Sequence, residues 1–176
     1  MEGATVVHKV HNVHQRKFRA SSAQLGDLLD RVAEPGGPLW PRHWPPMVLD
    51  RPLGVGAAGG HGPIRYRVTE YSAGVRVVCE FTAPTPLNGT HSLEVRPGSG
   101  PGTAVLRHEL SGRLIGLGVL SWPLVIRWLH DAVLEELLDR AGYAVGDPPA
   151  RPVRWSFLVR LGRRLLGAGA AAPVRH

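Results

Sequence analysis

Residues 64–83, IRYRVTEYSAGVRVVCEFTA, and 87–113, LNGTHSLEVRPGSGPGTAVLRHELSGR, hold four segments rich in β-branched and aromatic side chains, separated by turn residues. The segments are 64–71, 75–83, 90–96 and 103–113. Ala73-Gly74 links the first two, Asn88-Gly89 is the hairpin signal expected before the third, and Gly98 to Gly102 turns the chain into the fourth. Upstream, residues 5–19 (TVVHKVHNVHQRKFR) lack Gly and Pro and predict a long opening strand. Ser21 and Gln24 make a capping box, and Leu25, Leu28, Leu29 and Val32 then follow helical spacing. Residues 36–62 are dominated by Pro, Gly and Trp and predict an irregular covering segment with at most one short strand. Downstream, Ser121-Trp122-Pro123 has helix-start chemistry, and 124–143 predicts a long helix with Trp122, Ile126, Leu129, Val133 and Leu137 on one side. Strand, short helix, run of strands and long helix together imply an α+β fold. Its antiparallel sheet curls around the final helix, because each apolar face must find a partner.

Composition sets the limits. The 176 residues suit one domain over 1–146 followed by a tail, 147–176. A hydrophobic fraction of 43% against 20% charged is globular, while 22 Gly and 16 Pro imply many turns and argue against a mostly helical protein. One cysteine, Cys79, excludes a disulfide scaffold and a thiolate metal cluster. The N-terminus has no apolar signal core, and the longest apolar run, 114–126, falls short of the roughly 20 residues a bilayer span needs. A soluble, cytoplasmic protein is expected. The net charge of +7 is concentrated in the tail, whose six Arg and one Asp leave residues 1–146 at +2. So dispersed a charge argues against a nucleic-acid partner.

Strand alternation assigns side chains to faces. Val75, Val77, Cys79 and Phe81 share the inward phase of one strand, His91, Leu93 and Val95 that of the next, and Ala104, Leu106, His108 and Leu110 that of the last. In the opening strand His8, Asn12 and His14 share a phase with Val6, Val10 and Phe18. Several imidazoles therefore point inward. Each could be a satisfied structural histidine, but their recurrence on separate strands favours a polar-dotted cavity, where desolvation would keep them neutral. A metal site is not expected from strand histidines with no short ligand pair, and no cofactor is expected either. Cys79 reads as a small core residue. Gly54-Val55-Gly56-Ala57-Ala58-Gly59 satisfies G-x-G-x-x-G but precedes a strand, not a helix, and reads as a loop. Asn88-Gly89-Thr90 matches a glycosylation sequon, for which a turn role suffices. In the tail, 154–166 drawn as a helix sets Trp155, Leu158, Val159, Leu165 and Leu166 opposite Arg160, Arg163 and Arg164. Packing on the body or disorder is favoured over docking on anionic lipid or a partner protein.

With these elements in order, the sequence resembles the SRPBCC superfamily, the START-like helix-grip proteins that include bacterial polyketide cyclases and dehydratases. The resemblance spans about 5–145. It rests on His61-Gly62-Pro63-Ile64-Arg65-Tyr66, then Val68, Glu70-Tyr71 and Gly74, on the Trp122-Pro123 helix start, and on Trp40-Pro41 and Trp44-Pro45-Pro46, which are similar to a set of actinobacterial members. It implies a helix-grip fold with a deep apolar cavity between sheet and long helix. Trp40, Trp44 and His61 would form its rim, and Tyr66, Cys79, Phe81, Leu106, Ile126 and Leu129 would line it. The expected function is binding of a hydrophobic or aromatic small molecule there. If the protein is an enzyme, the resemblance implies cyclisation or dehydration of a polyketide-like substrate, and the inward strand phase makes His14, His91 and His108 the acid–base candidates. The alternative is a carrier of lipid or hydrophobic metabolites whose tail, 151–166, contacts a membrane or a partner.

Overall fold

The computed structural model describes residues 8–83 and 85–169. Seven strands form one antiparallel sheet: β1 (Lys9–Phe18), β2 (Val48–Leu49), β3 (Ala58–His61), β4 (Ile64–Ser72), β5 (Arg76–Phe81), β6 (Leu87–Pro97) and β7 (Ala104–Leu114). Their spatial order is β1-β7-β6-β5-β4-β3-β2, so the first strand closes one edge beside the last. Helix α1 (Ser22–Asp30) follows β1. A continuous helical stretch then runs through α2 (Gly118–Ser121), a π-helical turn (Trp122–Ile126) and α3 (Arg127–Val145), and α4 (Phe157–Gly169) ends the described chain. This is the expected helix-grip α+β architecture.

Local chemistry accounts for the elements. Ser21 accepts from the Gln24 backbone amide at 3.2 Å while Gln24 Oε1 accepts from the Ser21 amide at 2.9 Å, the reciprocal capping box at the start of α1. Asp30, at its other end, accepts from the Tyr71 hydroxyl (2.9 Å) and the Gly74 amide (2.8 Å) and so pins the β4–β5 turn. The main core lies between the sheet, α1 and the C-terminal half of α3, with Phe18, Leu25, Leu29, Leu106, Leu138 and Ala141 in it. Asp139 is buried on α3, where it takes Arg16 Nη1 (2.6 Å) from β1 and the Val153 amide (2.7 Å) from the tail.

Several expectations change. Asn88-Gly89 is no hairpin turn: β6 begins at Leu87 and both residues pair with β7, opposite Arg113 and Gly112. β5 ends at Phe81, so the connection to β6 is complete before Asn88-Gly89 is reached. Gly89 is needed there because a Cβ would fall 2.2 Å from the Ser111 carbonyl oxygen. Residues 36–62 contribute two short strands, β2 and β3, rather than at most one. Their glycines allow the backbones to close up, since a Cβ on Gly59 or Gly60 would sit 2.0 Å from Val48 O or 1.8 Å from Ile64 O. The glycine-rich fingerprint thus leads into an antiparallel strand and has no phosphate-binding helix after it. The opening strand starts at Lys9 in the structure, and residues 5–7 lie outside the described part.

The tail packs on the body in part. Val159 is buried, Gly162 rests on Leu129 of α3, and Trp155 meets Trp44 edge-on at 5.9 Å with the Arg163 guanidinium over its ring at 4.7 Å. Leu158 and Leu165, expected on the packed side, are exposed together with Phe157 and Leu161, because α4 touches α3 along one narrow line only. The Leu166 side chain lies outside the described ones. Among the described residues no helix is long and apolar enough to cross a membrane.

Candidate functional site

Between the concave face of the sheet and the N-terminal half of the long helical stretch lies a cavity of about 300 Å³. Trp122, Ile126, Leu129, Val133 and Leu137, the side of the helix recognised by its spacing, form one wall. Val77, Cys79, Phe81, Leu93 and Leu110 form the sheet wall, and Trp40, Trp44 and Met47 from the covering segment close one end.

A line of aromatic rings crosses this apolar surface. Trp40 and His61 are 5.0 Å apart between ring centroids, His61 and Tyr66 5.7 Å, Tyr66 and His91 4.8 Å, His91 and His108 5.6 Å, and His108 and His130 5.2 Å. Trp122 ends the line 5.8 Å from His130, and Phe81 stacks on His91 at 5.0 Å. His61 Nδ1 and the Tyr66 hydroxyl share a hydrogen bond of 3.2 Å. Nε2 of His91, Nδ1 of His108 and Nδ1 of His130 are out of solvent with no hydrogen-bond partner among the described residues. Buried donors and acceptors are seldom left so, and three of them facing one cavity, two from the sheet and one from α3, call for a partner that the protein itself does not supply among the described residues.

Burial sets the protonation states. Loss of water drives the His61 pKa down to about 4 and that of His91 to about 3, helped by the neighbouring imidazoles. His108 falls well below its ordinary value and His130 also falls, both chiefly by burial. All four are neutral at pH 7, each offering one donor and one acceptor. Burial pushes the Tyr66 phenol up, so it stays protonated, and takes the Cys79 thiol up to about 12, which removes it as a nucleophile.

Of the residues expected at the site, Trp40, Trp44, His61, Tyr66, Cys79, Phe81, Ile126, Leu129, His91 and His108 all lie on the cavity wall. Leu106 does not: it shares the face of His108 but packs where α1 and the end of α3 already fill the space. His14 is also off the wall. On the edge strand it meets the acidic side of α3, donating from Nδ1 to Glu135 Oε1 (2.7 Å) and from Nε2 to Asp131 Oδ1 (3.0 Å). The bond to Glu135, opposed by burial and supported by Asp131, holds its pKa above the ordinary value. An imidazole so engaged is a cation in an ion pair, not a free base. His8, grouped with it in phase, is exposed. His130 was not foreseen, although it follows Ile126 by four residues and precedes Val133 by three, the spacing of the cavity-facing side.

Comparison with known proteins adds the fold. No family model and no curated protein matches the chain. Among solved structures it is similar to norcoclaurine synthase from Thalictrum flavum in complex with dopamine and hydroxybenzaldehyde, at TM-score 0.60 and 12% identity over 86% of this chain and 97% of that one. The protein XoxI from Bacillus cereus gives TM-score 0.59 and 17% identity over 78% and 96%. CalU16 from Micromonospora echinospora gives TM-score 0.54 and 10% identity over 96% and 100%. At such identities the likeness shows one thing, that this chain has the helix-grip fold.

Proposed function

We propose that the cavity binds a small hydrophobic or aromatic molecule bearing a carbonyl or hydroxyl oxygen. The observation that carries this reading is the row of neutral, unpartnered imidazole nitrogens across an otherwise apolar enclosure. The apolar walls would take the ring or chain of the ligand, and His91 and His108 would hydrogen-bond its oxygen. That a structurally similar protein is seen with dopamine and hydroxybenzaldehyde supports a ligand of this size and kind.

In its catalytic form the reading is cyclisation or dehydration of a polyketide-like substrate through an enolate. With burial holding His91 near 3 and His108 well below its ordinary value, both imidazoles are weak bases while the cavity is neutral, so their first part is to donate to the carbonyl oxygen. As negative charge develops on that oxygen, the adjacent imidazole becomes a better proton acceptor, since an opposite charge favours its protonated form. The C–H bond next to the carbonyl breaks, its electron pair moves into the enolate, and the proton passes to His108 or His91.

Acetophenone tests both forms. Calorimetric titration should show one binding site, lost in Ile126→Trp, which fills the cavity from the helix side. In D2O the bound ketone should gain deuterium at its methyl group faster than in buffer, and His108→Phe should abolish the gain. Binding that survives Ile126→Trp would place the ligand on the surface and overturn the cavity reading. Binding without deuterium uptake would overturn the catalytic form.

The carrier reading has one observation in its favour. Phe157, Leu158, Leu161 and Leu165 on α4 are exposed beside Arg160 and Arg164, the arrangement of a helix that lies in an anionic interface. Replacing the three leucines by Ser should then abolish co-sedimentation with vesicles containing phosphatidylserine; unchanged sedimentation would discard it.

A further inference from the structure

At the end of the ring line, on the side away from Trp40, three potential ligand atoms converge. A nitrogen of His14 from β1, a nitrogen of His130 and a carboxylate oxygen of Asp131 from α3 lie within 4.8 Å of one another. We infer that His14, His130 and Asp131 bind a divalent first-row transition cation, with zinc the best match, at the boundary between the cavity wall and the edge of the sheet. This does not depend on what the cavity holds.

The donor set suits such an ion. Two imidazoles, which are borderline ligands, and one carboxylate make up a set of the kind that holds zinc at catalytic sites, where a fourth position stays open. The distances are close to those between ligand atoms around one ion: His14 Nε2 is 3.0 Å and His130 Nδ1 3.7 Å from Asp131 Oδ1. The surroundings are also those of a metal ligand. A zinc-bound histidine typically donates its other ring nitrogen to a carboxylate, which fixes tautomer and orientation. His14 does so, from Nδ1 to Glu135 Oε1 at 2.7 Å, and Glu135 is held in turn by Arg16 Nη2 at 3.0 Å. Asn12 Nδ2 likewise donates to Asp131 Oδ1 at 3.0 Å.

An ion-pair network alone would explain His14, Asp131, Glu135 and Arg16, each of which has partners. It leaves His130 with a long contact only: its Nδ1 is out of solvent, 3.7 Å from Asp131 Oδ1 without a hydrogen bond, and has no hydrogen-bond partner among the described residues. Nor does it explain Asn12 Oδ1, buried and unpartnered in the same corner. A cation at the convergence gives His130 Nδ1 its partner and replaces the proton shared by His14 and Asp131. His108, with its own unpartnered Nδ1 and its ring 5.2 Å from that of His130, is a further donor toward the cavity. The site joins two elements distant in sequence, which is why strand histidines examined alone argue against a metal.

The test is cobalt and zinc titration of the full chain, freed of any affinity tag and stripped with a chelator. Cobalt(II) should bind in a 1:1 ratio with the intense visible d–d absorption of low-coordinate nitrogen–oxygen sites, and zinc should displace it. His130→Phe keeps the ring and removes the ligand. It should weaken zinc binding by about 100-fold or more and abolish the cobalt bands, while Glu135→Gln, which keeps all three ligands and alters the support of His14 together with the pairing to Arg16, should weaken binding by about 10- to 100-fold. His61→Phe, at the far end of the ring line, should leave affinity unchanged. Since His130 Nδ1 has no hydrogen-bond partner among the described residues, His130→Phe should fold, which circular dichroism can verify. Weak six-coordinate cobalt bands, or zinc affinity unaffected by His130→Phe, would assign the metal to surface histidines and overturn the inference.

Discussion

At the scale of single residues, burial decides what each polar group can do. Asp139 is 4% exposed, and its burial is tolerated because Arg16 and the Val153 amide both bond it. Asp139→Ala should cost about 3 kcal/mol, since it leaves Arg16 partly uncompensated and the Val153 amide without its acceptor. Urea unfolding would read that loss, and hydrogen exchange should accelerate at Val153 more than at residues of β5. Equal acceleration everywhere would mean that Asp139 does not fasten the tail. His91 gives a pH prediction. Its folded pKa, about 3, lies below the 6.5 of the unfolded chain, so below pH 6.5 the unfolded state binds the extra proton and stability falls as pH drops toward 3. Well below 6.5 the loss approaches about 1.4 kcal/mol per pH unit. His91→Phe should remove one proton's worth of that slope between pH 5.5 and 4.5. An unchanged slope would mean that the imidazole is hydrated.

At the scale of elements, two backbones meet closely where α1 crosses the β4–β5 turn. A Cβ on Gly26 would lie 2.5 Å from the Gly74 carbonyl oxygen and 2.8 Å from its Cα. Alanine would favour the helix by about 1 kcal/mol, but overpacking against backbone that Asp30 holds in place costs about 1–3 kcal/mol, so Gly26→Ala should lower the melting temperature. A rise would show that α1 sits farther from the turn. Such contacts mark the limit of what was legible in the sequence. Alternation placed His91 and His108 on the inward face correctly, because a half-buried strand has only two faces. It could not tell that Leu106, one step along the same face, packs solidly under α1, since period two carries no information about depth. Asn88-Gly89 has the chemistry of a turn, yet tertiary pairing with Arg113 and Gly112 draws it into β6. His14 also faces inward, but its partners, Asp131 and Glu135, were not legible because they come from a helix more than 100 residues away.

At the scale of the whole molecule, the curl of the sheet around the helix leaves more room than its side chains fill, and the imidazoles cluster where that room is. The covering segment and the helix side supply the apolar part, and both were readable, the first from its Trp-Pro pairs and the second from its spacing. His130 shows what whole-molecule geometry adds, since it stands on the cavity side of α3 and also beside His14 of the opposite sheet edge. The account stands on a hollow lined by neutral rings that meet a ligand's oxygen. Side-chain nitrogen NMR of the histidines at pH 6, with acetophenone added stepwise, examines that directly. His61, His91 and His108 should show neutral-imidazole shifts throughout, and His91 and His108 should move to saturation while exposed His8 and His11 do not. Protonated rings at His91 and His108, or movement confined to His8 and His11, would contradict it.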